Sequence, residues 1–136
     1  MIWALLLGCP GQPPPPIGGR LAACWSSPNC VSSQADPSDR RHHVAPLPLS
    51  VEPAVALQRL ALVLSGLPGA HDLQVQGLHL RITCDTPSGL YTDDVDALLD
   101  PAAGVIHVRS SSRIGYGDNG VNRARIERLR EAWDQR

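Results

Sequence analysis

From His71 to Arg113 the apolar residues recur at every second position, and three short breaks interrupt them. Leu78, Leu80, Ile82 and Cys84 alternate with His79, Arg81 and Thr83, so one side of a strand is apolar and the other polar. The breaks fall at Gly77, at Asp85–Gly89 (DTPSG) and at Asp100–Gly104 (DPAAG), which delimit strands at 71–76, 78–84, 90–99 and 105–113. Links this short cannot carry the chain across a sheet and back, so the strands are antiparallel neighbours. A helix precedes them: Leu57, Leu60, Ala61 and Leu64 form an apolar stripe, with Ser50 as cap, Glu52 and Pro53 in the first turn and Gly66 at the end. A second helix follows over 121–133, capped by Asp118 or Asn119, with Ile126, Leu129 and Trp133 inward. Arg123–Glu127 and Arg130–Asp134 would pair on its outer side. The expected fold is α+β: a four-stranded antiparallel meander with two helices on one face, in the order α-β-β-β-β-α.

The chain of 136 residues is long enough for a single core. Its net charge of −1 argues against a strongly charged partner. The N-terminal third is of different composition. "CPGQPPPPIGGR" (9–20) is a proline run ending in Gly-Gly, read as a spacer over residues 9–19. Before it stands "MIWALLLGC", whose Leu6-Leu7-Gly8-Cys9 resembles the lipobox of bacterial lipoprotein signals, which makes Cys9 the expected lipidation site. Residues 1–8 are then the remnant of a signal whose start lies further upstream, because no Lys or Arg precedes the apolar run. The remainder, 20–136, is one domain.

With Cys9 lipidated, three cysteines remain. Cys84 lies on the apolar side of its strand and reads as a buried free thiol. Cys24 and Cys30 flank the turn of "CWSSPNCVSS", which brings them within disulfide reach. A zinc site would need a second ligand pair, and the side chains of adjacent His42 and His43 diverge, so no metal and no cofactor is expected.

Chemistry concentrates in "YTDDVDALLD" (91–100) and "RSSSRIGYGDNGVNRAR" (109–125). Asp93 and Asp94, adjacent on a strand, point to opposite faces and cannot act together as acid and base. Asp93 shares its face with Tyr91, Val95, Ala97 and Leu99, a core-directed set, and must find a cation. Arg109 and Arg113 on the next strand, with Ser111 between them, are the expected partners. Arg109, Arg113, Arg123 and Arg125 surround a glycine-rich bend that opens a helix, an arrangement suited to phosphate or carboxylate. Two readings stand: an anion pocket that includes Ser110 and Ser112, or an internal network in which Asp93, Asp94, Asp118 and Asn122 clamp helix to sheet. The network is preferred because acids are available. Nucleic acid is excluded as a partner, since the basic patch is small and lacks interleaved aromatics. The candidate nucleophiles are Cys30 with His42 or His43, and Ser110 or Ser112 with His107, but Ser110 and His107 fall on opposite strand faces and Cys30 is expected to be oxidised.

"CWSSPNCVSS", "APL", "YTDDVDALLD" and "GVIHVRSSSRIGYGDNGVNRARIE" resemble the signature blocks of the domain of unknown function 1499 family over roughly residues 20–130. The chain departs from that pattern at Trp25, where proline is usual, and at Thr92 and Ala97, where larger apolar or aromatic residues are usual. The resemblance implies an exported, membrane-anchored domain and brings no activity with it. The expectation is a non-enzymatic cell-envelope lipoprotein, facing the periplasm, bound to a membrane by its lipid and to an unknown envelope component. The alternative is an envelope enzyme or binding protein acting on an anionic ligand held by Arg109, Arg113 and Arg123, with Asp94 as base.

Overall fold

The computed structural model describes residues 11–135; Cys9 lies outside the described residues. It is an α+β domain whose antiparallel sheet has six strands, two more than the alternation predicts. The expected four are present as β3 (Ala70–Gln76), β4 (His79–Asp85), β5 (Thr92–Asp100) and β6 (Val105–Ser112). They pair in sequence order, as turns this short require. The additions, β1 (Cys30–Ser32) and β2 (Leu47–Pro48), both pair with the free edge of β6. They span only two or three residues, too few to display a period, and Pro48 is tolerated because β2 is an edge.

Helix α1 (Pro53–Ser65) begins at Pro53, with Glu52 as the residue before the first turn and no side-chain cap. Ser50 therefore does not cap it. Leu60 and Leu64 are fully buried, with Ala56 in place of Leu57 completing the inner stripe. Helix α2 (Val121–Asp134) is entered through Gly120 at φ 78°, a left-handed conformation that a side chain would strain. Its outer pairs differ from expectation: Arg123 turns to the carbonyls of Arg40, Arg41 and His43, while Arg130 approaches Glu127 at 3.5 Å. Backbone carbonyls lay closer to these guanidiniums than the acids one turn on.

One face of the sheet carries Leu80, Ile82, Cys84, Val95, Ala97, Leu99, Ile106 and Val108, and both helices pack there with Ile126, Leu129 and Trp133. The opposite face bears His79, Arg81, Thr83, Asp94, Asp96, Arg109 and Ser111. It too is buried: Arg81, Asp94, Asp96 and Arg109 are 0–5% exposed. Its cover is the segment before β1. Arg81 donates to the carbonyls of Pro13 and Pro14 at 2.8 and 3.2 Å, and Gln12 donates to Asp94 at 3.4 Å. The proline run expected as a free spacer is thus partly seated on the domain. Its prolyl carbonyls are the acceptors that the buried guanidinium needs.

Candidate functional site

Asp93 and Asp94 do point to opposite faces, and each belongs to a separate polar assembly. Pairing sets Asp93 opposite Ser112 and Asp94 opposite Ser111. Arg109 and Arg113, on the same side of β6 as Ser111, therefore face Asp94 and not Asp93. The expected Asp93 partnership with them fails by this one-residue parity, which the register of the β5–β6 hairpin decides.

On the helix face, Asp93 ends the apolar rows and is fully buried. Arg125, from the second turn of α2, brings Nη2 to 2.8 Å from its Oδ2. The Ser112 hydroxyl, opposite Asp93 on β6, is its second partner, and both carboxylate oxygens are closed off from solvent. Burial raises the Asp93 carboxyl above the ordinary aspartate value, against the pull of Arg125 and the Ser112 hydroxyl. Asn122 pins helix to strand beside it. It accepts from Ser110 Oγ at 2.6 Å and donates to Ser112 Oγ at 2.9 Å and to Asp118 Oδ2 at 2.7 Å. The Asp118 carboxylate also accepts the amides of Gly120 and Asn122, closing the first turn of α2.

Outside this pin lies a cleft of about 260 Å³ between the β4–β5 loop and the glycine-rich bend that feeds α2. Asp93 lines it with Ser88, Tyr91, Ser112, Ile114 and Asp118. Tyr91, expected to face the core, is 46% exposed at this cleft. It precedes β5, where the alternation has not yet begun.

On the second face, Arg113 grips Asp94 with two hydrogen bonds of 2.9 Å, and the aspartate is fully buried beneath it. That bond holds the guanidinium further into its charged form. Asp96 receives Arg81 Nε and His79 Nε2, each at 2.7 Å. Arg109 is enclosed with no carboxylate in contact among the described residues. It donates to Ser111 Oγ at 2.6 Å and the Ala23 carbonyl at 3.4 Å, and its carbon Cζ lies 5.3 Å from the centre of the Trp25 ring. Burial lowers its affinity for the proton, with Asp96 opposing.

The sequence-derived set is therefore dispersed. Arg109 and Arg113 lie under the N-terminal cover, Arg123 is bound to loop carbonyls, and Arg125 is on the helix face with Asp93. Cys24 and Cys30 form a disulfide, which ties the cover to β1, and Cys84 is a free buried thiol that burial pushes up to about 11. His42, the candidate partner of Cys30, is held between Asp39 at 2.7 Å and the Ser27 carbonyl at 2.9 Å. Reading the residues alone missed Arg81 with Asp96, and Trp25 under Arg109. Arg81 stood in the polar half of an alternating strand, where solvent is the default; a proline-rich segment with free carbonyls was the one sign that something could cover it.

A family model described as a protein of unknown function (DUF1499) matches residues 20–133. The chain belongs to the DUF1499 family. The match begins after the proline run and takes in every strand, the disulfide corner and α2 as far as Trp133, while Gln12, Pro13 and Pro14 of the second-face cover lie before it. No curated protein and no solved structure matches it.

Proposed function

We propose that this DUF1499 domain is a cell-envelope lipoprotein, a non-enzymatic binding or structural module held at a membrane through Cys9. The observation that carries the reading is the Cys24–Cys30 disulfide, since such bonds persist in oxidising compartments outside the cytosol. Leu6-Leu7-Gly8-Cys9 supplies the attachment sequence, and Pro10 in place of an inner-membrane retention aspartate favours the outer membrane. More than one acyl chain would anchor it stably, each buried CH₂ contributing about 0.8 kcal/mol. The binding character is supported by the occupation of the groups that chemistry would need. Cys30 is oxidised, Asp94 is clamped by Arg113, and Ser110 donates to Asn122 while His107 faces the other side of β6. Metabolic labelling with a fatty-acid probe tests the anchor: label is expected on the wild type and lost in Cys9→Ser. Equal label in both ends the proposal.

A further inference from the structure

The N-terminal segment fixes which end of the sheet lies nearest to Cys9. Gln12 is bound at Asp94, Pro13 and Pro14 at Arg81, and Gly18 to Arg20 lie beside Asp100 and Pro101, so the segment runs along β5 in that strand's own direction. Cys9 precedes Gln12 by three residues and stands within about 11 Å of it whatever path the chain takes. Two loops close this end of the sheet, 86–91 between β4 and β5 and 113–120 between β6 and α2. They meet where the Tyr91 ring lies beside Gly115, and Arg113 shares a hollow with Gln12. Ten large apolar side chains are exposed among the described residues, and five of them gather here: Leu90, Tyr91, Ile114, Tyr116 and Val121. We infer that this end of the domain docks on the lipid surface itself, an inference that rests on the anchoring through Cys9 proposed above: Leu90, Ile114 and the two tyrosine rings lie among the headgroups.

A domain tied to a bilayer by so short a leader sets some surface against it, and only the end where the leader departs is in reach. Val75 and Leu78 are exposed too, but they flank the β3–β4 turn at the opposite end of the sheet. The nine residues of β5 separate the two ends by about 27 Å. The chemistry of the near loops suits the boundary between water and lipid. Residues 86–91 and 114–117 include no charged side chain, so no ion is desolvated on entry. Both tyrosines of the chain are here, each with an apolar ring and a polar tip, the combination enriched at membrane interfaces. Leu90 and Tyr116, at the loop tips, are 73% and 68% exposed. The charges behind them are engaged within the domain: Arg113 with Asp94, Asp85 with His71, and Asp118 with the amides of Gly120 and Asn122. Such a surface needs no anionic lipid.

The test uses the full chain, produced with a functional lipoprotein signal and inserted into phosphatidylcholine vesicles. Leu90→Cys, Tyr116→Cys and Ala102→Cys, all at exposed positions, each add one reactive thiol, because Cys84 is buried and Cys24 and Cys30 are joined. Each variant carries a polarity-sensitive dye, and the vesicles contain phosphatidylcholine with a spin label near the top of its acyl chain. The dyes on Leu90→Cys and Tyr116→Cys should shift to the blue and lose intensity to the spin-labelled lipid, while the dye on Ala102→Cys, at the β5–β6 turn, should do neither. Intact mass of the same samples reports the acyl chains. A chain without them ends the anchoring and this docking with it. An acylated chain whose Leu90→Cys and Tyr116→Cys dyes are unquenched overturns the docking and leaves the anchor standing, and so does equal quenching on Ala102→Cys. A blue shift that grows with protein density and is not quenched by lipid would overturn it in favour of a second copy of the chain covering these loops.

Discussion

Both faces of the sheet are covered, yet they are built from opposite materials. Under the helices the rows are Leu80, Ile82, Val95, Leu99, Ile106 and Val108, and the drive is removal of apolar surface from water. Under the N-terminal segment the rows are Arg81, Asp94, Asp96 and Arg109, and each charge is compensated by a named neighbour, a carbonyl or the Trp25 ring. An apolar face accepts any cover of the right shape. A charged face accepts only a cover that supplies acceptors where the guanidiniums point, which is why the Pro13 and Pro14 carbonyls, with no competing amide hydrogens, suit it. The lesson is that alternation identifies the two faces but does not say that the polar one is wet.

Neighbouring residues on β4 put that comparison to its sharpest test. Leu80→Ala and Arg81→Ala empty opposite faces of the same strand, and each is expected to cost about 3–5 kcal/mol in urea denaturation, the first by a cavity and the second by leaving Asp96 and the prolyl carbonyls without their donor. A polar face that behaved as ordinary surface would give Arg81→Ala a cost within about 0.5 kcal/mol. Arg113→Ala should cost somewhat less, about 3 kcal/mol, because its side chain keeps 32% exposure while the Asp94 beneath it has none. Replacing Asp94 with Asn in the same molecule should cost less than the two single changes added, since the pair is coupled. Smallest is the disulfide that ties the cover down: reducing Cys24–Cys30 should lower stability by about 2 kcal/mol. Alkylation of the unreduced, unfolded chain should leave both cysteines unlabelled; label on them without reductant would remove the tie.

How far the sequence foretold this arrangement depended on the length of each signal. Strands β3 to β6 and both helices were legible because each carries several turns of a period, and Cys24–Cys30 was legible from spacing. β1 and β2 carry no period, and only the free edge of β6 makes strands of them. The separation of Asp93 from Asp94 followed from strand geometry alone. Their partners did not, because a pairing register shifted by one residue exchanges every cross-strand neighbour. Arg125 was visible as a cation near the bend, but its approach to Asp93 requires the seating of α2, which Asn122, Ser110 and Ser112 determine. The exposure of Tyr91, and with it the cleft, depended on where β5 begins, and strand boundaries are the least constrained part of any periodic pattern.

The central claim is that the arginines of the second face hold the fold together and do not wait for an anion. Thermal denaturation of wild type and Arg113→Ala, each with and without inorganic phosphate, tests it most directly. The account predicts a lower melting temperature for Arg113→Ala in both solutions, with phosphate shifting the two proteins by the same small amount. An unchanged melting temperature in Arg113→Ala, together with phosphate stabilisation confined to the wild type, would contradict it and make the second face a ligand site.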